Sequence, residues 1–291
     1  MRTIERGLAV TASWAHSDPN LLRAHHARDA IIQAGPVPAD VTETVLQPRD
    51  GFRGGLLFTP PGDLGAPVIV YFHGGGFLAG SPETHRCVTA WLAKMSGLRV
   101  LSARYRLAPE HHFPAQRDDA VAACAMAATL PAAGDLVLAG DSAGACVALW
   151  GLRGLAAEQR HQVRGLVLLY GGYGLTESAS IARYGTAENG LDAETLDIMY
   201  RRLGDPAQTG ITFPLAFAAE IHEPAYVLAA ALDAVSDDSS TLFRALPAHP
   251  ANRFVPVEGQ DHGFFKATGK SDIAMQELQK AADWLGAMVR G

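Results

Sequence analysis

The chain has 291 residues, and 48% of them are hydrophobic, which is enough to bury a large core. α/β folds of this length are often single domains. Lys and Arg number 24 against 30 Asp and Glu, so the net charge is −6. This weakly acidic balance argues against a protein that binds nucleic acid or an anionic membrane surface.

The three cysteines, Cys87, Cys124 and Cys146, form no C-x-x-C pair. An odd number without that spacing argues against a disulfide scaffold and against a zinc site. The first residues lack the apolar core and cleavage site of a signal peptide, and no apolar run is long enough to cross a membrane. We therefore expect a cytoplasmic protein with reduced, buried thiols and no membrane partner.

Short apolar runs alternate with helical patterns along the chain. A helical, amphipathic stretch within residues 1–40 comes first, and two short runs around residues 43–60 then predict an antiparallel hairpin. Continuous apolar runs are typical of strands buried on both faces of a mostly parallel sheet, and strand–helix alternation indicates an α/β fold. The predicted strands of that sheet are 67–76, 99–105, 135–142, 165–172, 224–234 and 253–259, and the predicted helices are 84–97, 115–130, 143–159 and 273–289.

Two segments do not follow this alternation, namely residues 1–40 and residues 173–212. The second contains a predicted helix over 192–204, with Asp192 as its N-cap and Gly204 as its stop signal. We expect the two segments to form a helical cap on a single domain of residues 1–291. The catalytic core would then comprise residues 41–172 and 213–291.

Ser142 lies in Gly140-Asp141-Ser142-Ala143-Gly144, which matches G-x-S-x-G. A nucleophilic serine needs a sharp strand-to-helix turn with small neighbours, and this pentapeptide follows a predicted strand and precedes a predicted helix. The alternative is that Ser142 only caps the helix.

A second motif, HGGGF at residues 73–77, follows an earlier predicted strand. Backbone N–H groups in such a loop can stabilise the oxyanion formed in acyl transfer. A phosphate-binding loop would instead place Lys, Ser or Thr after the glycines, where this chain has Phe77 and Leu78.

Four motifs together resemble the hormone-sensitive-lipase-like branch of the α/β-hydrolases, the bacterial carboxylesterases of the acetyl-esterase type. They are HGGGFLAG at 73–80, YRLAPEHHFPA at 105–115, GDSAGA at 140–145 and DHGFF at 261–265. The resemblance implies an α/β-hydrolase fold, with a mostly parallel eight-stranded sheet flanked by helices. It also implies a helical cap built from the N-terminus and from an insert after the sixth strand.

In this family the triad runs serine, acid, histidine along the chain. His262 matches the family's histidine because it lies in HGF after the last predicted strand. The family's Asp-Pro-Leu-x-Asp corresponds to residues 233–237, so the resemblance implies Asp233 as the acid, although Pro and Leu are both replaced. Asp237 and Asp238 are the alternatives.

The expected oxyanion donors are the N–H groups of Gly75, Gly76 and Ala143, with Gly74 as the alternative if the loop is shifted by one residue. We expect Phe77 to narrow the substrate pocket. At the start of the insert, Tyr173 and Leu175 are expected to line its entrance.

The favoured function is a serine carboxylesterase that hydrolyses short-chain acyl esters and needs no cofactor and no metal. The same triad would also serve an amidase, a formamidase, a lactonase or an acyltransferase. A non-catalytic small-molecule binder on the same fold is a further alternative. The expected partner is a small ester, and the sequence is compatible with a homodimer.

Overall fold

The apolar runs of the sequence form an eight-stranded sheet in a computed structural model that describes residues 13–63 and 65–290. Its order is β1-β2-β4-β3-β5-β6-β7-β8; β1–β2 and β2–β4 pair antiparallel, and the other neighbours pair in parallel. The predicted α/β-hydrolase fold class is confirmed. The strands are β1 (Thr42–Leu46), β2 (Gly55–Thr59), β3 (Val68–Phe72), β4 (Val100–Ala103), β5 (Leu136–Asp141), β6 (Val163–Leu169), β7 (Ala225–Ala230) and β8 (Arg253–Val257).

Helices cover both faces of this sheet, because the side chains of each central strand alternate between two apolar clusters. Leu138 belongs to the cluster that includes α3 and α4, whereas Val137 belongs to the cluster that includes α2 and α10. The helices are α1 (Pro19–Gln33), α2 (Arg86–Ser96), α3 (Ala115–Ala128), α4 (Ala143–Gly154), α5 (Ala157–Arg160), α6 (Ala179–Tyr184), α7 (Ala193–Arg201), α8 (Pro206–Thr209), α9 (Ser236–Ala245) and α10 (Asp272–Arg290), with 3₁₀ helices at Pro214–Glu220 and Phe264–Ala267.

The single helix predicted over residues 143–159 is wrong at residues 155 and 156, where the structure breaks it into two helices. Helix α4 ends at Gly154, and Leu155 is extended, with φ −67° and ψ 142°. Glycine is a poor helix former, and the extended backbone lets the Leu155 side chain remain buried in the core. The short helix α5 then begins at Ala157.

The N-terminal segment and the insert after β6 contact each other. The guanidinium of Arg202 donates a hydrogen bond to the carbonyl oxygen of Ala15 at 2.6 Å. The expected helix of the insert forms as α7, and the Asp192 carboxylate caps it by accepting from the Thr195 N–H at 3.0 Å. The first part of the predicted 1–40 cap segment, residues 1–12, lies outside the described residues.

Within residues 13–63 and 65–290, none of the helices combines the length and the apolar character that a membrane crossing needs.

Candidate active site

Ser142 lies on a sharp turn between β5 and α4. Its backbone has φ 52° and ψ −126°, a conformation that is strained for a residue with a side chain. A side chain at Gly144 would overlap the carbonyl oxygen of Phe72, so this close approach of α4 to β3 requires glycine. The turn thereby holds the Ser142 hydroxyl beyond the end of the strand.

The structure brings Ser142, His262 and Asp233 into one hydrogen-bonded chain. Ser142 Oγ lies 2.8 Å from His262 Nε2, and His262 Nδ1 lies 2.7 Å from Asp233 Oδ2. Asp233 is buried, and its other oxygen accepts from the Val235 N–H at 2.9 Å. The imidazole and the Tyr170 ring pack edge-to-face, with 5.3 Å between their centroids. This geometry lets His262 accept a proton from Ser142 while Asp233 orients the ring.

The two alternative acids hold the insert and do not contact His262. Asp237 Oδ2 accepts from the Ser180 N–H at 2.9 Å, beside helix α6. Asp238 Oδ1 accepts from the N–H groups of Tyr173 at 2.6 Å and Leu175 at 3.2 Å. Both carboxylates are therefore used to fix the path of the chain after β6.

The glycine loop supplies backbone N–H groups next to Ser142. Gly75, with φ 120°, and Gly76 line the same cavity as Ser142 and Ala143. Within the described residues, the backbone N–H groups of Gly75, Gly76 and Ala143 have no hydrogen-bond acceptor. Gly74 differs, because its N–H donates to Asp141 Oδ1 at 3.0 Å. The arrangement leaves Gly75, Gly76 and Ala143 available to an oxyanion and Gly74 already committed.

A sequence model of the family described as "alpha/beta hydrolase fold" matches residues 69–266, about two thirds of the chain. The chain belongs to the α/β-hydrolase family. The acetyl esterase of Salmonella schwarzengrund is 30% identical over 238 residues, which cover 77% of this chain and 73% of the relative. The acetyl esterase of Salmonella paratyphi B is 29% identical over 95% of this chain and 89% of its own length.

Solved esterase structures superpose on this α/β-hydrolase over nearly its whole length. A hyperthermophilic esterase from the archaeon Pyrobaculum calidifontis gives a TM-score of 0.82 at 26% identity and covers 97% of this chain and 95% of its own. A thermostable carboxylesterase cloned from a metagenomic library gives a TM-score of 0.79 at 26% identity. The match covers 94% of this chain and 99% of the carboxylesterase. The protein is a carboxylic ester hydrolase, and the resemblance drawn from its motifs is confirmed.

Asp141 of this hydrolase ties the serine turn to the glycine loop, a role that the sequence analysis missed. Its buried carboxylate accepts from the Tyr71 hydroxyl at 2.8 Å and from the Gly74 N–H, and it lies 3.3 Å from His85 Nε2. Burial would raise the pKa of Asp141, but His85 and the hydrogen bonds outweigh it and hold the pKa below its usual range. The only signal in the sequence was its place between Gly140 and Ser142.

A cavity of about 180 Å³ opens in front of Ser142. Phe77 lines it as expected; the ring is buried against Trp150, at 5.4 Å between centroids, and faces Tyr200 at 6.3 Å. Leu196 and Met199 of the α7 helix extend this apolar wall, although neither was predicted.

The expectation that Tyr173 and Leu175 line the pocket entrance is corrected, because neither residue lies on the cavity wall. The buried Asp238 carboxylate holds both of their backbone N–H groups. The Tyr173 ring is consequently buried in the core, against Gly171. The insert reaches the cavity only after these two residues, first at residues 189–191 and then on α7.

Proposed function

We propose that this carboxylic ester hydrolase is a serine esterase that works through an acyl-enzyme intermediate. The observation that supports this most strongly is the continuous chain from Ser142 through His262 to Asp233, with free backbone N–H groups beside the serine. A serine hydroxyl is a weak nucleophile until a base removes its proton, and His262 Nε2 lies within hydrogen-bond distance to do so.

In the acylation step, Ser142 Oγ attacks the ester carbonyl carbon and its proton passes to His262 Nε2. The carbonyl oxygen becomes an oxyanion, which accepts hydrogen bonds from the N–H groups of Gly75, Gly76 and Ala143. Asp233 accepts the Nδ1–H of His262 and stabilises the imidazolium that forms.

The tetrahedral intermediate then collapses. His262 donates its Nε2 proton to the leaving alkoxide, the C–O bond breaks, and the alcohol departs. Water enters, gives one proton to His262 Nε2 and attacks the acyl carbon. The bond between this carbon and Ser142 Oγ then breaks, His262 returns the proton to Oγ, and the carboxylic acid is released.

The size of the cavity supports a preference for short acyl groups. A cavity of roughly 150 Å³ holds one benzene molecule, so the observed 180 Å³ accommodates a small ester and not a long fatty acyl chain. The N-terminal segment supplies Trp14 to the wall and the insert supplies Met199 and Tyr200. We propose that these two segments act as the cap that limits chain length.

The cysteines support a cytoplasmic location. Cys87, Cys124 and Cys146 are all buried and free, and burial raises the pKa of each thiol, so they are poor disulfide partners. Cell fractionation tests this: esterase activity recovered mainly outside the cytoplasmic fraction would contradict it.

The proposed function is tested by hydrolysis of para-nitrophenyl acetate. Ser142→Ala should lower kcat by on the order of 10⁴ or more, because removal of one triad member leaves only binding and the oxyanion site. Its circular dichroism spectrum should match that of the wild type. A Ser142→Ala protein that keeps more than about a tenth of the activity would contradict the assignment.

A further inference from the structure

One wall of the cavity is polar, and the proposed ester hydrolysis uses none of its side chains directly. Its members are His26 from α1, His85, Asp141 and, from the 3₁₀ helix after His262, Lys266. The rings of His26 and His85 stack at 6.2 Å between centroids, and His85 contacts Asp141. This wall therefore extends from the glycine loop toward α1.

Lys266 differs from the other three lysines of the chain. Lys94 pairs with Asp40, Lys280 pairs with Glu277, and Lys270 donates to the carbonyl oxygen of Ile32. Within the described residues, Lys266 has no hydrogen-bond or salt-bridge partner, although it is half-buried and lines the cavity. A partly desolvated ammonium without an acceptor is unfavourable unless a ligand supplies one.

His26 adds a second unpartnered polar side chain to the same wall. Its side chain is 7% exposed, and its Nδ1 is buried with no hydrogen-bond partner among the described residues. Burial, followed by the charge of Lys266, lowers the pKa of His26 well below its usual value, so the ring is neutral and holds one N–H donor. The charge of Lys266 acts on this ring, and both residues line the cavity, so they belong to one region of the wall.

We infer that the polar wall binds a carboxylate carried by the ester substrate, with Lys266 as the residue that pairs with it and His26 beside it. This inference rests on the proposed serine-esterase function and names its substrate class. A carboxylate is favoured over a neutral acceptor because its negative charge adds Coulomb attraction to the hydrogen bond that the Lys266 ammonium donates. Three carboxylates on the cavity wall oppose an anion, the buried Asp141 and Asp233 and the exposed Asp261, so the discrimination depends on Lys266.

The carboxylate belongs to the leaving alcohol. The Lys266 side chain folds back over Gly263, where an added Cβ would lie 3.6 Å from Nζ. Gly263 follows His262, which donates the proton to the departing alkoxide in the proposed mechanism. The apolar wall around Phe77 and Met199 is left for the acyl chain. The substrate class is therefore a short acyl ester of a hydroxycarboxylic acid, and water splits it into a carboxylic acid and a hydroxycarboxylate.

The test compares two esters that differ only in charge on the alcohol side, para-acetoxybenzoate and para-acetoxybenzamide. The measured quantity is the ratio of their kcat/KM values in the wild type and in Lys266→Met. Comparison of the two ratios cancels the intrinsic reactivity of each ester. We expect Lys266→Met to lower the ratio by on the order of tenfold, the usual effect of losing a hydrogen bond to a charged group. Lys266→Arg keeps the charge and should keep most of the ratio.

Lys270→Met is the matched control, because Lys270 is an exposed lysine of the same loop that lies outside the cavity. Its ratio should equal that of the wild type. A Lys266→Met ratio equal to the wild-type ratio would overturn the inference while leaving the esterase proposal intact.

A binding measurement keeps the two proposals distinguishable. Calorimetry of the products should show that the wild type binds para-hydroxybenzoate more tightly than para-hydroxybenzamide, and that Lys266→Met does not. The proposed function fails if the wild type hydrolyses neither these two esters nor para-nitrophenyl acetate, and the binding difference alone then decides the inference. Equal binding of the two products by the wild type would overturn it.

Discussion

Replacement of Asp233 by Asn is the sharpest test of how His262 is oriented. The Val235 N–H donates to Asp233 Oδ1 at 2.9 Å, so the amide oxygen of an Asn will take that place. The amide nitrogen will then replace Oδ2, which lies 2.7 Å from His262 Nδ1. An NH₂ group cannot accept the Nδ1–H, so the ring takes the tautomer with its proton on Nε2. In that tautomer Nε2 cannot accept the proton of Ser142.

The expected loss in kcat is about 10⁴, which corresponds to about 5.4 kcal/mol in the activation free energy. The fold should be unaffected because Asn has the same shape. The assay is hydrolysis of para-nitrophenyl acetate at saturating substrate, with Tm measured on the same samples.

Asp237→Asn is the control for this change. Among the described residues, Asp237 Oδ2 accepts only from the Ser180 N–H, and an Asn keeps an acceptor oxygen there. Its kcat should remain within about tenfold of the wild type, as for most substitutions outside the reacting groups. If Asp237→Asn lowers kcat more than Asp233→Asn does, the triad acid is Asp237 and the assignment of Asp233 is wrong.

Three further predictions follow from the geometry around the site. In a series of para-nitrophenyl esters, kcat/KM should peak at acyl chains of roughly two to six carbons, because each methylene that does not fit the cavity costs about 1–3 kcal/mol in transition-state binding. A maximum at about ten carbons or more would contradict a small cavity. Burial raises the pKa of Asp238 to about 7, so the folded state keeps a proton that the unfolded state loses near pH 4. The free energy of unfolding should then fall by as much as about 4 kcal/mol between those pH values, and urea unfolding of Asp238→Asn should show no such fall. Gly144→Ala should prevent stable folding, because its Cβ would overlap the Phe72 carbonyl oxygen; a folded, active variant in the same expression test would show that the turn can widen.

Local chemistry explains why the sequence predicted the serine turn, whereas its two partners were implied by the family resemblance. The turn at Ser142 needs small residues on both sides whatever the rest of the chain does, so the pentapeptide carries its own signal. His262 and Asp233 each follow a strand of the sheet, and parallel strands bring their carboxyl ends to one edge. This topology explains why the two residues that the family resemblance implied come together with Ser142.

The pocket walls could not be predicted in the same way, because they depend on how distant segments meet. Tyr173 was placed at the entrance from its position in the chain, but Asp238, 65 residues later, holds its backbone and buries the ring. His26 and Lys266 meet only because α1 and the segment after β8 reach the same cavity. No periodicity or spacing in the sequence records such a contact.

The proposed mechanism depends most directly on Ser142 as the nucleophile. Covalent trapping tests this role in one measurement. Diethyl para-nitrophenyl phosphate transfers a diethylphosphoryl group to an activated serine. Intact-protein and peptide mass spectra should show one such group on the wild type, located on Ser142, with complete loss of esterase activity. Ser142→Ala should remain unmodified under the same conditions. An inactivated wild type that carries the group on another residue, or an unmodified Ser142 in inactivated protein, would contradict the account.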